Sequence, residues 1–163
     1  MTEIKAFLSS PWKPAPLATK LVLDNAEIEH VLHSTGHYQV DRTLSSGRTQ
    51  SVFVAKETEY YKRADVRRIW SLVSSTKEAP GTELMMRLMR QSSATKIGSW
   101  AVEKNSSGEY MVIYVAKLDA TAPDEALEGT IDYVARIASA MHKELNPEEK
   151  KSSSDTLAAW LAE

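Results

Sequence analysis

The sequence predicts an α+β fold: an antiparallel sheet of about five strands in the order α-β-β-β-α-β-β-α. Three stretches carry that expectation. Lys96 to Lys117 reads as two strands of Val, Ile and aromatic residues around a tight Asn-Ser-Ser-Gly turn. His37–Thr43 and Thr49–Glu57 read as a second strand pair around Leu44-Ser45-Ser46-Gly47-Arg48. From Pro123 onward, Leu127, Ile131, Val134, Ala138, Met141 and Leu145 recur at steps of four and three, which makes one apolar stripe on a long helix.

In chain order, residues 1–20 are expected to form an arm, because Pro11, Pro14 and Pro16 prevent regular helix. Phe7, Leu8 and Trp12 are its apolar contacts. Residues 21–146 are expected to be a single domain. Asp24–Thr35 reads as a short helix, capped by Asp24 or Asn25, with Ile28, Val31 and Leu32 inward and Gly36 as its stop. Tyr60 to Arg63 fits a polar connection. Val66–Ser74 fits a helix or a strand by periodicity, and Ile69, Trp70, Leu72 and Val73 favour sheet. After Pro80-Gly81, Thr82 is the expected cap of a helix carrying Leu84, Met85, Met86, Leu88 and Met89. In the later hairpin, Tyr110, Val112 and Tyr114 share one face and Met111, Ile113 and Val115 the other, so cover is expected on both sides. Residues 147–163 read as a polar linker followed by a short amphipathic helix, with Leu157, Trp160 and Leu161 on one face.

Composition narrows the functional classes. The chain has 163 residues, 42% hydrophobic and 26% charged, with a net charge of -2, so no strong field points to nucleic acid or an anionic membrane. No apolar run reaches the length that crosses a bilayer, and a soluble, cytoplasmic protein is expected. Without cysteine there is no disulfide, thiol nucleophile or thiolate metal site. Phosphate-binding glycine loops, G-x-S-x-G and H-E-x-x-H are absent. No catalytic residue, cofactor or metal ligand is therefore expected.

Two clusters invite chemistry. His30, His33 and His37, with Glu27 and Glu29, have the residue types of a zinc site, but no second cluster completes it. They mark the alternative reading: a small enzyme or a ligand- or metal-binding domain. Lys62, Arg63, Arg67 and Arg68 interleave with Tyr60, Tyr61 and Trp70 as in nucleic-acid surfaces, although the cluster is short, the chain is slightly acidic and a solvated, charged strand edge explains them better. The helix from Thr82 is apolar over most of its circumference, so its residues either complete the monomer core or leave apolar surface for a subunit or partner contact. The expected protein-binding or dimer surface is therefore Leu84, Met85, Met86, Leu88 and Met89 with Tyr110, Val112 and Tyr114.

The order of elements resembles the type III secretion chaperone-like fold. The residues look most like its YbjN-domain branch, a family labelled as sensory transduction regulators. The likeness rests on Gly47 to Val54, Arg68 to Val73, Leu84 to Met89 with Lys96 to Val102, and the stripe from Leu127 to Leu145. Arg90, Gln91 and Ser92 stand where many YbjN-like members carry asparagines. The resemblance implies helices packed on an antiparallel sheet, a homodimer, and protein binding in place of catalysis, with a client or regulatory protein as partner. Secretion chaperones of this fold hold extended client segments against hydrophobic patches.

Overall fold

A computed structural model describes residues 17–62 and 64–146. The expected arm up to residue 16 and the expected linker and tail helix, 147–163, lie outside the described residues. The described chain contains α1 (Thr19–Asn25), β1 (Val31–Leu32), β2 (Tyr38–Thr43), β3 (Thr49–Val54), β4 (Glu59–Tyr61), β5 (Ala64–Thr76), α2 (Thr82–Ala94), β6 (Ser99–Lys104), β7 (Tyr110–Asp119) and α3 (Asp124–Leu145). The α+β class is as expected. One antiparallel sheet takes the order β1-β2-β3-β5-β7-β6, with β4 paired to the start of β5.

The sheet has seven strands where about five were expected. Both additions are short and have a local cause. Tyr60 and Tyr61, read as connection, pair with Asp65 and Ala64 across a tight turn in which Lys62 has φ 57°. The larger correction concerns the first helix. It spans Thr19–Asn25 and ends where Asp24–Thr35 was expected to begin. Glu27 at φ 53° breaks the helical path. Val31 and Leu32 then pair with Gln39 and Tyr38 in β1 and are 60% and 62% exposed, while Ile28 is buried.

Three hairpins share one loop chemistry. His33-Ser34-Thr35-Gly36-His37, Leu44-Ser45-Ser46-Gly47-Arg48 and Asn105-Ser106-Ser107-Gly108-Glu109 each join strands the same way. In each, the first residue's N–H donates to the fifth residue's carbonyl, and the glycine N–H donates back to the first residue's carbonyl. The glycines sit at φ 83°, 77° and 82°, the left-handed position that closes a type I turn with a bulge.

β5 is the spine. It pairs with β7 from Val66↔Asp119 to Thr76↔Tyr110, with one irregularity between Leu72 and Ser74. Against β3 it pairs only at Phe53↔Trp70 and Val54↔Ile69. Beyond those pairs side chains bridge the two strands: Gln50 Nε2 donates to Ser71 Oγ and to the Leu72 carbonyl, and Ser71 Oγ donates to the Ser51 carbonyl.

The core lies on one side of the sheet. Val40, Val52, Val54, Ile69, Val112 and Tyr114 meet Leu127, Ile131, Val134, Ala138 and Met141 of α3, and α1 and α2 add Val22, Leu23 and Leu88 to the same cluster. The stripe on α3 is buried as its spacing predicts, each large residue contributing roughly 1.5–3 kcal/mol. The other side differs from expectation. Among the described residues no helix covers Met111, Ile113 and Val115. Ile113 is nonetheless only 2% exposed, set between Leu72 and Ala101 of the flanking strands.

Candidate functional site

α2 begins after Pro80 with Gly81 as its N-cap in extended conformation; Thr82, the expected cap, is the first helical residue. Glu83 lies in the first turn, where the exposed N–H groups favour a carboxylate. The inner side is tied down at several points. Leu84 and Leu88 pack on the core. Trp100 Nε1 donates to Gln91 Oε1 and the Trp100 N–H to Ser92 Oγ, so the end of α2 caps part of the sheet edge. Arg87 forms an ion pair with Glu144 of α3.

This packing divides the expected surface in two. Leu88, Val112 and Tyr114 are 3%, 1% and 0% exposed, so they belong to the core and have no area to give a partner. Leu84 is partly buried and, with Ser74 and Pro80, lines an open groove of about 480 Å³ between the end of β5 and the start of α2. Tyr110 is half-buried, with Lys104 Nζ 4.5 Å from its ring centroid. Met85, Met86 and Met89 remain outside at 43%, 45% and 67% exposure. Helical period explains the division: positions 84, 88 and 91 share the inner line, and 86 and 89 point away from it. The sequence could not show it, because Leu and Met are equally apolar in a pattern.

The histidines occupy the β1–β2 hairpin and not a helix face. His30 meets Tyr38, His33 meets Phe53 and His37 meets Trp70, each edge-on at ring-centroid distances of 5.4, 5.3 and 4.9 Å. His30 Nδ1 also lies 2.8 Å from the Ile28 carbonyl. Among the described residues no group of three or more His, Asp or Glu side chains is arranged to hold a metal ion.

Beside this hairpin lies an open hollow of about 580 Å³ lined by Asp24, Glu27, Glu29, His30 and Asp41. Ser51 Oγ and Gln39 Nε2 donate to Asp41 Oδ1 at 2.7 and 2.9 Å and hold its carboxyl below the usual range. A depressed carboxylate stabilises the fold above its unfolded pKa and loses that contribution as pH falls through its folded pKa. Ser51→Ala removes the larger cause, so the Asp41 titration followed by NMR should move up toward 3.8. An unmoved titration would show that the serine does not donate to Asp41 in solution.

The basic and aromatic cluster does not form one surface. Tyr60 and Tyr61 are exposed on β4, but Arg67 is 2% exposed and points into the domain. Arg68 pairs with Glu103 at 2.5 Å and lies 5.0 Å from the Trp70 ring centroid.

Among the described residues no helix is long and apolar enough to cross a membrane. No protein-family model matches the chain, and no curated protein matches it.

Proposed function

We propose that this chain is a non-catalytic, chaperone-like regulatory domain that binds protein through the outer face of α2 and associates with itself as a homodimer. One observation carries the reading: Met85, Met86 and Met89 stand exposed on a helix whose other side is fixed by Leu84, Leu88, Gln91 and Ser92. A rigidly seated helix that shows flexible thioether side chains to water offers an adaptable apolar contact. The likeness of Leu84 to Met89 and Lys96 to Val102 to YbjN-like domains supports the same reading, as does the pattern similarity to the secretion-chaperone fold. A cytoplasmic location belongs to this proposal, and the lack of cysteine suits it.

Met89 is the test position. At 67% exposure it contributes little to the monomer, so Met89→Glu should leave the chain folded, its unfolding midpoint lowered only by the share that dimerisation adds. In analytical ultracentrifugation the wild type should sediment at twice the chain mass and the variant at the chain mass. A variant that keeps the dimer mass would remove α2 from the interface.

A further inference from the structure

The outer line of α2 has a charge order beyond its methionines. Glu83, Met86, Arg90 and Ser93 follow one another at steps of three, four and three, on the side opposite Leu84, Leu88 and Gln91. Met89 lies beside them. Glu83 and Arg90 are both exposed, and among the described residues neither is in an ion pair, whereas Arg87 is engaged by Glu144. Lys96, exposed just past the helix, adds to the positive end. The face is thus apolar in the middle, negative at one end and positive at the other.

We infer that the occupant of this face is a second copy of the chain, its α2 running antiparallel across a two-fold axis between Met86 and Arg87. The inference rests on the self-association proposed above and specifies its geometry. Glu83 and Arg90 are seven residues apart, about 10 Å along the helix. An antiparallel copy centred between them brings Glu83 opposite the partner's Arg90 and Arg90 opposite the partner's Glu83. Met86 and Met89 then meet the partner's methionines in the middle. An isologous contact of this kind must be self-complementary, and this face is. A uniformly acidic or basic partner would gain at one end and lose at the other. A parallel copy would set like charges against each other at both ends.

Charge reversal with rescue tests the geometry on the full-length chain. Glu83→Arg and Arg90→Glu should each weaken self-association about tenfold or more, because two attractive contacts per dimer become repulsive. An equimolar mixture of the two variants should recover a dimer, since every contact across the axis is again between opposite charges. The double variant Glu83→Arg/Arg90→Glu should recover it as well. Recovery also shows that each single variant is folded. Single variants that associate like wild type, or a mixture that stays monomeric, overturn the antiparallel arrangement. If Met89→Glu still dissociates the wild-type dimer in that case, the methionine face stands and only its geometry falls. A wild type that is monomeric at high micromolar concentration overturns both and leaves the face to a different protein.

Discussion

Replacing Arg67 with alanine should destabilise the domain by about 2–5 kcal/mol, a large part of the 5–15 kcal/mol that usually holds a domain of this size together. Arg67 is 2% exposed, yet among the described residues no carboxylate forms an ion pair with it. Its guanidinium is satisfied by neutral oxygens: Nε donates to Thr19 Oγ1 at 3.1 Å, Nη1 to the Ala120 carbonyl at 3.2 Å and Nη2 to the Leu17 carbonyl at 3.0 Å. Burial pushes its pKa down. The acceptors come from two distant parts of the chain, Leu17 with Thr19 and Ala120, so Arg67 ties the start of α1 and the exit of β7 to the spine strand. Thr19 extends the tie, donating to the Ala55 carbonyl at 2.8 Å. Truncation leaves a cavity and strips the buried Ala120 carbonyl of its donor, at a cost of about 1–3 kcal/mol, along with the more exposed Leu17 carbonyl. Arg67→Lys keeps the charge, but a single ammonium cannot serve acceptors in three directions, so it should fall between alanine and wild type. Denaturant midpoints measure the series, and hydrogen exchange should show α1 losing protection first. An alanine variant within about 0.5 kcal/mol of wild type would mean that the clamp does not form.

Arg67 also shows where sequence reading stopped. In β5 the inward phase is Arg67, Ile69, Ser71 and Val73, and the outward phase is Arg68, Trp70 and Leu72. Both phases carry large apolar residues and both carry an arginine, so alternation alone does not say which arginine is buried. Two hairpins were legible because Ser-Ser-Gly between Val- and Ile-rich runs has few other solutions. The third hairpin has the same signal, His33-Ser34-Thr35-Gly36-His37, but Ile28, Val31 and Leu32 ahead of it also fit one turn of helix, and Gly36 also suits a helix stop. Glu27 decides the matter through a left-handed backbone that no residue type announces. On α3 the stripe was legible because one side only is apolar. On α2 nearly every side is, and contacts remote in sequence, with Trp100 and Glu144, select the face that stays in water.

Gly98→Ala should cost about 3 kcal/mol or more and should be felt at the methionine face as well as in stability. Gly98 has φ 79°, where a Cβ adds about 1–2 kcal/mol of backbone strain. The added carbon would also stand 2.5 Å from the Val115 carbonyl oxygen and 3.2 Å from Ala116 Cα, both backbone atoms of β7 that cannot rotate away. The loop must therefore move, and it is tightly held. The Tyr114 hydroxyl donates to the Ile97 carbonyl, the Lys96 N–H donates to the Tyr133 hydroxyl at 3.0 Å, and Thr95 Oγ1 donates to the Gly98 carbonyl at 3.1 Å. This loop fixes where α2 leaves the sheet, and with it the direction in which Met86 and Met89 point. Gly98→Ala should accordingly destabilise the monomer and weaken self-association together, whereas Met89→Glu should weaken association and leave the monomer's own stability unchanged. Gly129 supplies the control for the chemistry of the substitution: it lies inside α3 with nothing within 4 Å of an added Cβ, so Gly129→Ala should stabilise by about 0.5–1 kcal/mol. Opposite signs for the same substitution at the two glycines would establish that the close approach of the α2–β6 loop to β7 positions the proposed interface. If Gly98→Ala is tolerated as well as Gly129→Ala, the loop does not approach β7 closely, and the seating of α2 depends on Leu84, Leu88 and Ser92 without it.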